Sequence, residues 1–255
     1  MLLAADEPAP VRLLRPDGAG DFVLTADHAG NRIPRALGDL GLAASERRRH
    51  IAWDIGIAGV SERLSALLDA PAVLQTYSRL VIDCNRAPGH PTSIPVRSEA
   101  TDVPGNAALD AAARAARQAA IFDPYHRAVA GLLDARAAAG RRSVLVAMHS
   151  FTPVFHGRRR TVEIGVLSHR DRRLADIVLA LLREAGEFAV GDNEPYAITD
   201  TSDYTVPVHG EGRGLVHVEL EIRQDLIETA ADQAQWAERV ARLLRAAAAR
   251  LSLLT

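Results

Sequence analysis

Lysine is absent: all 30 basic residues of the 255-residue chain are arginine. That excludes a Schiff-base or pyridoxal lysine, a phosphate-loop lysine and a Ser–Lys nucleophile pair. Cysteine occurs once, at Cys84, so neither an internal disulfide nor a Cys-pair metal site can form within the chain. A lone thiol suits a reducing compartment, and a cytoplasmic location is expected. No apolar run reaches the roughly 18 residues of a membrane-spanning helix. The opening MLLAADEPAP lacks a basic stretch followed by an apolar core, so no secretory leader is expected. The formal net charge is only −2. With no basic stripe and no basic amphipathic helix, neither nucleic acid nor a membrane surface is an expected partner. Also missing are the G-x-S-x-G elbow, G-x-G-x-x-G after a strand and an H-E-x-x-H helix.

What is present alternates. Apolar runs at 22–28 (FVLTADH), 72–83 (AVLQTYSRLVID), 143–150 (SVLVAMHS), 163–169 (EIGVLSH) and 215–223 (LVHVELEIR) read as strands. Between them, residues 53–68 read as a helix with Ile57, Val60, Leu64 and Leu67 on one face. Ala-rich helices follow near 108–120 and 123–139, another at 171–186, and a long one from about Ala231. Two Gly/Pro-rich stretches, 86–106 and 191–214, lack periodicity, as functional loops often do. Strands separated by helices predict an α/β fold: a mixed, mostly parallel central sheet with helices on both faces, as one domain over residues 1–255. In such sheets ligands sit at the carboxyl ends of strands.

Polar residues gather at those ends. His28 and His149 each close an apolar strand, where an imidazole can point out of the sheet toward a metal. A hydrogen-bonded structural histidine is the alternative for either one. A third ligand would be a carboxylate, and Asp54 is the best placed, although an acid in a first helical turn is also ordinary. Asp27 would point away from His28 if both sat in a strand. Arg79, Asp83, Asn85 and Arg86 form a cluster that could grip a carboxylate, or else an internal Arg79–Asp83 pair with a solvated Arg86. In HVELEIR the alternation puts Glu219, Glu221 and Arg223 on one face, where a glutamate could serve as general base. His209 stands in a glycine-rich loop, and His126 opens a helix.

The ordered segments ADHAGNRIP, HIAWDIG, YSRLVIDCNRAPG, YH, MHS, YTVPVHGEGRG and VELEIRQDL span about residues 20–230. Together they resemble the N-formylglutamate amidohydrolase family. That family is similar to the zinc exopeptidases and to the aspartoacylase and succinylglutamate desuccinylase group. The resemblance implies a phosphorylase/hydrolase-like, zinc exopeptidase-like fold. It implies metal-dependent hydrolysis of an N-acyl acidic amino acid such as N-formyl-L-glutamate, a small-molecule partner and one Zn2+ per chain. Carried over, His28, Asp54 and His149 hold the metal, Glu221 is the general base and Arg79 a second anionic contact. Asn85 and Arg86 bind the substrate carboxylate. Apart from the resemblance, His209 and Arg223 are expected as further substrate contacts, with an ordinary surface loop the alternative for His209. One departure stands out. The exopeptidases use H-x-x-E, whereas Asn31 follows His28 by three residues, so either Asp54 supplies the carboxylate or the site is weaker. A related carboxypeptidase-like or ester hydrolase, and a non-catalytic binder of acidic metabolites, are the alternatives.

Overall fold

The computed structural model describes residues 2–253. Seven strands form the central sheet: β1 Val11–Leu14, β2 Phe22–Ala26, β3 Ala72–Gln75, β4 Val144–Phe151, β5 Ile164–Leu167, β6 Val190–Asp192 and β7 His217–Arg223. Their spatial order is β1-β3-β2-β4-β7-β5-β6. Strands β3, β2, β4 and β7 run parallel. At the flanks, β1 is antiparallel to β3, and β5 is antiparallel to β7 with β6 beside it in parallel. The expected mixed, mostly parallel sheet is therefore present. Two short hairpins, at 97–102 and 154–159, lie outside it.

Strand alternation builds two cores. Leu24, Leu74, Val146, Val166, Leu220 and Ile222 point to one face, where α1 (Ile57–Leu68), α4 (Arg173–Ala185) and α5 (Ala230–Ser252) cover them. Val23, Val73 and Leu145 point to the other, against α3 (Asp123–Ala138) and the segments around 40–52 and 77–94. Most of these side chains are fully buried, each worth roughly 1.5–3 kcal/mol relative to exposure. The face of α1 is the expected one with a change: Leu68 is buried, while Leu67 is 39% exposed. Helix α5 starts on a capping box in which Thr229 and Asp232 exchange hydrogen bonds. The helix preceding α3, α2 (Ala111–Arg117), joins it through one π turn, 118–122. Among the described residues no helix is long and apolar enough to cross a membrane.

The strand expected over 72–83 ends at Gln75. The Gln75 side-chain oxygen accepts from the Thr76 and Tyr77 amides, turning the chain so that Arg79–Arg86 lie in a loop over the sheet. Likewise β2 stops at Ala26, leaving Asp27 and His28 in a turn beyond its end.

Candidate functional site

A cavity of about 450 Å³ opens beyond the carboxyl ends of β2, β4 and β7. His28, Asp54, Arg79, Asp83, Asn85, Arg86, His149, Glu219 and Glu221 line it, with Tyr196, Ser202 and Asp203 from the second long loop.

At its floor, one oxygen of Asp54 faces two imidazoles. His149 Nδ1 lies 3.0 Å from Asp54 Oδ2, and His28 Nδ1 lies 3.5 Å from the same atom. The rings are 5.0 Å apart. Backbone ties hold this register: the Asp54 amide donates to the His28 carbonyl (2.9 Å), and the Ser150 amide donates to Asp54 Oδ2 (3.1 Å). The far nitrogens face other carboxylates. His28 Nε2 is 2.7 Å from Asp83 Oδ1, and His149 Nε2 is 3.5 Å from Asp27 Oδ2. The Tyr125 hydroxyl fixes Asp27 by donating to its other oxygen at 2.5 Å. Asp27 and His28 thus serve the same site: the pleat that would point them apart in a strand does not apply, because both lie in the turn beyond β2.

His28, Asp54 and His149 are buried and their ligating atoms lie within 4.8 Å of one another, a trio that could hold a metal ion. Two further features fit a cation. His28 Nδ1 is buried without a hydrogen-bond partner. Each imidazole also turns its other nitrogen to a carboxylate, the arrangement that orients metal-bound histidines. Asp27, Asp54, Asp83, Glu219 and Glu221 are all buried here, a negative excess that a divalent ion would offset.

The electrostatics follow from that crowding. Burial alone would raise the Asp54 pKa, but the His28 and His149 rings outweigh it and hold the carboxyl far below its ordinary range. Burial and Arg79 press His28 down, yet Asp83 and Asp54 leave it raised. For His149, burial is overcome by Glu219, Asp27 and Asp54, and its pKa stands well above normal. Glu219 and Glu221 are pushed up to about 8, chiefly by burial, with His149 opposing. Glu221 pairs in register with His149 on the neighbouring strand. On its other side stands Gly165, where a Cβ would come within 3.2 Å of the Glu221 side chain and 2.2 Å of the Glu194 carbonyl oxygen. Only glycine fits that approach.

The other expected site residues divide. Arg79 lines the cavity and bonds Asp83 through Nε (3.2 Å) and Nη2 (2.9 Å), with Nη1 3.6 Å from Asp54. Arg86 lines it too, its Nη1 donating to the Asn85 carbonyl at 2.8 Å. Asn85 is on the wall, but its amide is committed within the protein. Nδ2 donates to Asp203 (3.0 Å) and Oδ1 accepts from the Tyr204 and Thr205 amides. It fastens the second loop rather than reaching for a ligand. Two expected contacts are not brought to the cavity. His209 is buried against His126, Nε2 to Nδ1 at 3.0 Å. Arg223 ends β7, where its Nε donates to Asp225 (2.7 Å) and its Nη1 to the Val162 carbonyl (3.3 Å). It fills a carbonyl-lined strand end. Sequence reasoning missed Tyr196, Asp203, His50 and Glu99 on the wall. These come from loops whose sequences carry no periodic signal.

The sequence pattern of N-formylglutamate amidohydrolase matches residues 20–228. A crystal structure of a gene product from Agrobacterium tumefaciens is 41% identical, with a TM-score of 0.96, the match covering 99% of this chain and 100% of that one. N-formylglutamate amidohydrolase from Ralstonia eutropha JMP134 is 22% identical with a TM-score of 0.64, over 93% and 99% of the two chains, and shares the fold. No curated protein matches. The residues matched span most of the sheet and every residue of the floor, and the chain belongs to the N-formylglutamate amidohydrolase family, an enzyme of the amidohydrolase class.

Proposed function

We propose that this chain, acting as one catalytic domain, hydrolyses the N-formyl amide of an acidic amino acid, N-formyl-L-glutamate first among them, to formate and the free amino acid. The observation that carries the reading is the convergence of His28 Nδ1 and His149 Nδ1 on Asp54 beneath two protonatable glutamates. Two imidazoles and one carboxylate suit zinc, with one ion at this site and an open coordination position. Bound there, the ion would supply Lewis-acid polarisation of the acyl carbonyl.

The chain's own residues supply the rest. Glu221, with a pKa near 8 in the ion-free pocket, can take a proton from the attacking water and return it to the leaving amine. A nearby dication would lower that value toward neutrality. Arg79 adds a fixed positive charge to the wall, where charge develops on the carbonyl oxygen. Arg86, with a side chain 23% exposed at the cavity rim, is placed to pair with a substrate carboxylate and orient the amide.

The test is elemental analysis of the purified protein together with N-formylglutamate hydrolysis before and after chelation. At least one zinc per chain, with activity lost to the chelator and restored by the ion, is the expected result. No hydrolysis by the zinc-loaded protein would sink the proposal.

A further inference from the structure

A second cluster of metal-binding side chains lies at the opposite end of the sheet. Because β5 runs antiparallel to β7, the histidine after β5 arrives beside the start of β7 and not at the cavity. The ladder ends at the pair Glu219–Leu167, and His169 lies in the bend that follows, at the end of the sheet where β7 begins with His217. The loop after His209 brings Glu211 between them. Its Oε2 is 3.2 Å from His169 Nδ1, and its Oε1 is 3.9 Å from His217 Nε2. Asp200 Oδ1 lies 3.9 Å from His169 Nδ1, so the ligating atoms of His169, Asp200 and Glu211 fall within 4.8 Å of one another, with His217 reaching this trio through the other oxygen of Glu211.

His217 is the informative member. Its side chain is wholly buried. Its Nδ1 lies 2.9 Å from the Leu215 carbonyl, which can only accept, so in the neutral ring the proton sits on Nδ1. That leaves the Nε2 lone pair buried, without a hydrogen-bond partner, and on the Glu211 side. A backbone carbonyl fixing one nitrogen while the other presents its lone pair is how a metal-ligating histidine is held. Glu211 is oriented in the same way: its Oε1 accepts from the Arg170 amide (2.6 Å) and the Asp171 amide (3.3 Å).

We propose that His169, His217, Glu211 and Asp200 form a second divalent-cation site, separate from the one at the cavity floor. Two imidazoles with two carboxylates suit a borderline ion such as Zn2+, Co2+ or Ni2+ rather than Mg2+ or Ca2+. The guanidinium of Arg170 now bridges Glu211 and Asp200. Its side chain is 60% exposed, so it can swing out as the ion enters. Asp200 lies in the same loop as Tyr196, Ser202 and Asp203, which line the catalytic cavity. An ion at the second site would pin that loop.

The test titrates the metal-free, full-length protein with Co2+ and with Zn2+, reading cobalt absorption and competition with a chromophoric chelator. Wild type is expected to take up about two equivalents. His149→Ala should keep about one, and His149→Ala combined with His169→Ala about none. Circular dichroism establishes that each variant is folded. Arg170→Ala keeps all four ligands and removes the competing cation, so it should bind the second equivalent more tightly. A single equivalent in wild type, a residual equivalent indifferent to His169, or an Arg170→Ala variant with unchanged affinity would overturn the proposal.

Discussion

His28 and His149 present their Nδ1 atoms to a single oxygen, Asp54 Oδ2, at 3.5 and 3.0 Å. Behind His28, Asp83 Oδ1 lies 2.7 Å from Nε2. If this trio holds the ion, His149→Ala should lose the metal of the cavity floor and activity with it. Asp83→Asn should keep the ligands yet weaken metal affinity by about 10–100-fold, the usual cost of losing a carboxylate behind a ligating imidazole. Chelator competition checks both. Wild-type affinity in Asp83→Asn would mean that Asp83 only neutralises Arg79.

Both imidazoles have raised pKa values when no ion is bound. His149, raised well above its ordinary value, is protonated at neutral pH, His28 holds a proton more strongly than a free imidazole, and an incoming cation must displace these protons. Metal affinity should rise with pH, and proton release should accompany binding. Calorimetry in buffers of different ionisation enthalpy reads this directly. Buffer-independent heats at pH 7 would contradict it.

Glu221 and Glu219 share the cavity wall and similarly raised pKa values, but their neighbours differ. Glu221 pairs in register with His149, and in both glutamates Oε2 has no hydrogen-bond partner. Glu219 Oε2 is 3.9 Å from His149 Nε2, on the side away from Asp54. Glu221→Gln should retain the metal and lose about 10²–10⁴ in kcat, the range for a general base. Glu219→Gln should act mainly through His149 and shift metal affinity. If the kcat loss follows Glu219 instead, the two roles are exchanged.

How much of this was legible follows from where each residue sits. Strands β2, β4 and β7 announce themselves as short apolar runs, and the alternation in HVELEIR put both glutamates on the correct face. Strand direction is not written in an apolar run, so EIGVLSH looked equivalent to SVLVAMHS although it points the other way. Edge strand β1 has only four residues, two of them exposed, and gives no pattern. The role of Asp27 could not be read, because the pleat argument holds only inside a strand and β2 ends at Ala26. Asp203 and Tyr196 could not be placed, since tertiary bonds from distant residues, Asn85 to Asp203 and Arg160 to Tyr196 among them, fix their loop.

Arg86 and Arg79 should separate kinetically. Arg86 donates one bond to the Asn85 carbonyl and has no carboxylate partner nearer than 3.7 Å, so its charge remains available to a substrate. Arg86→Ala is expected to raise KM while changing kcat little. Arg79 is bound to Asp83, and Arg79→Ala would leave that buried carboxylate unbalanced. It should lower kcat and thermal stability together, by about 3–5 kcal/mol in stability if the charge stays buried. Equal effects on KM from both variants would remove the distinction.

His209 makes a pH prediction away from the metal. Burial, and then the neighbouring His126, press its pKa down to about 4 from an ordinary 6.5. His126 Nε2 sits 2.7 Å from the Cys84 carbonyl and so donates to it. His126 Nδ1 is then the acceptor and His209 Nε2 the donor. The folded protein thus resists protonating His209, whereas the unfolded chain protonates it near 6.5. The stability His209 provides is fully present above that value. It is lost as pH falls from about 6.5 to about 4, by roughly 3 kcal/mol at about 1.4 kcal/mol per pH unit. Metal-free protein should be used, so that ion release does not add to the slope. His28 and His149 shift in the opposite sense, so the informative quantity is the difference between wild type and His209→Gln, which keeps a donor for His126 and cannot titrate. Urea midpoints at pH 7.5 should be similar for the two. The variant should become the more stable one by pH 4, and parallel curves across that window would show that His209 titrates normally in the fold.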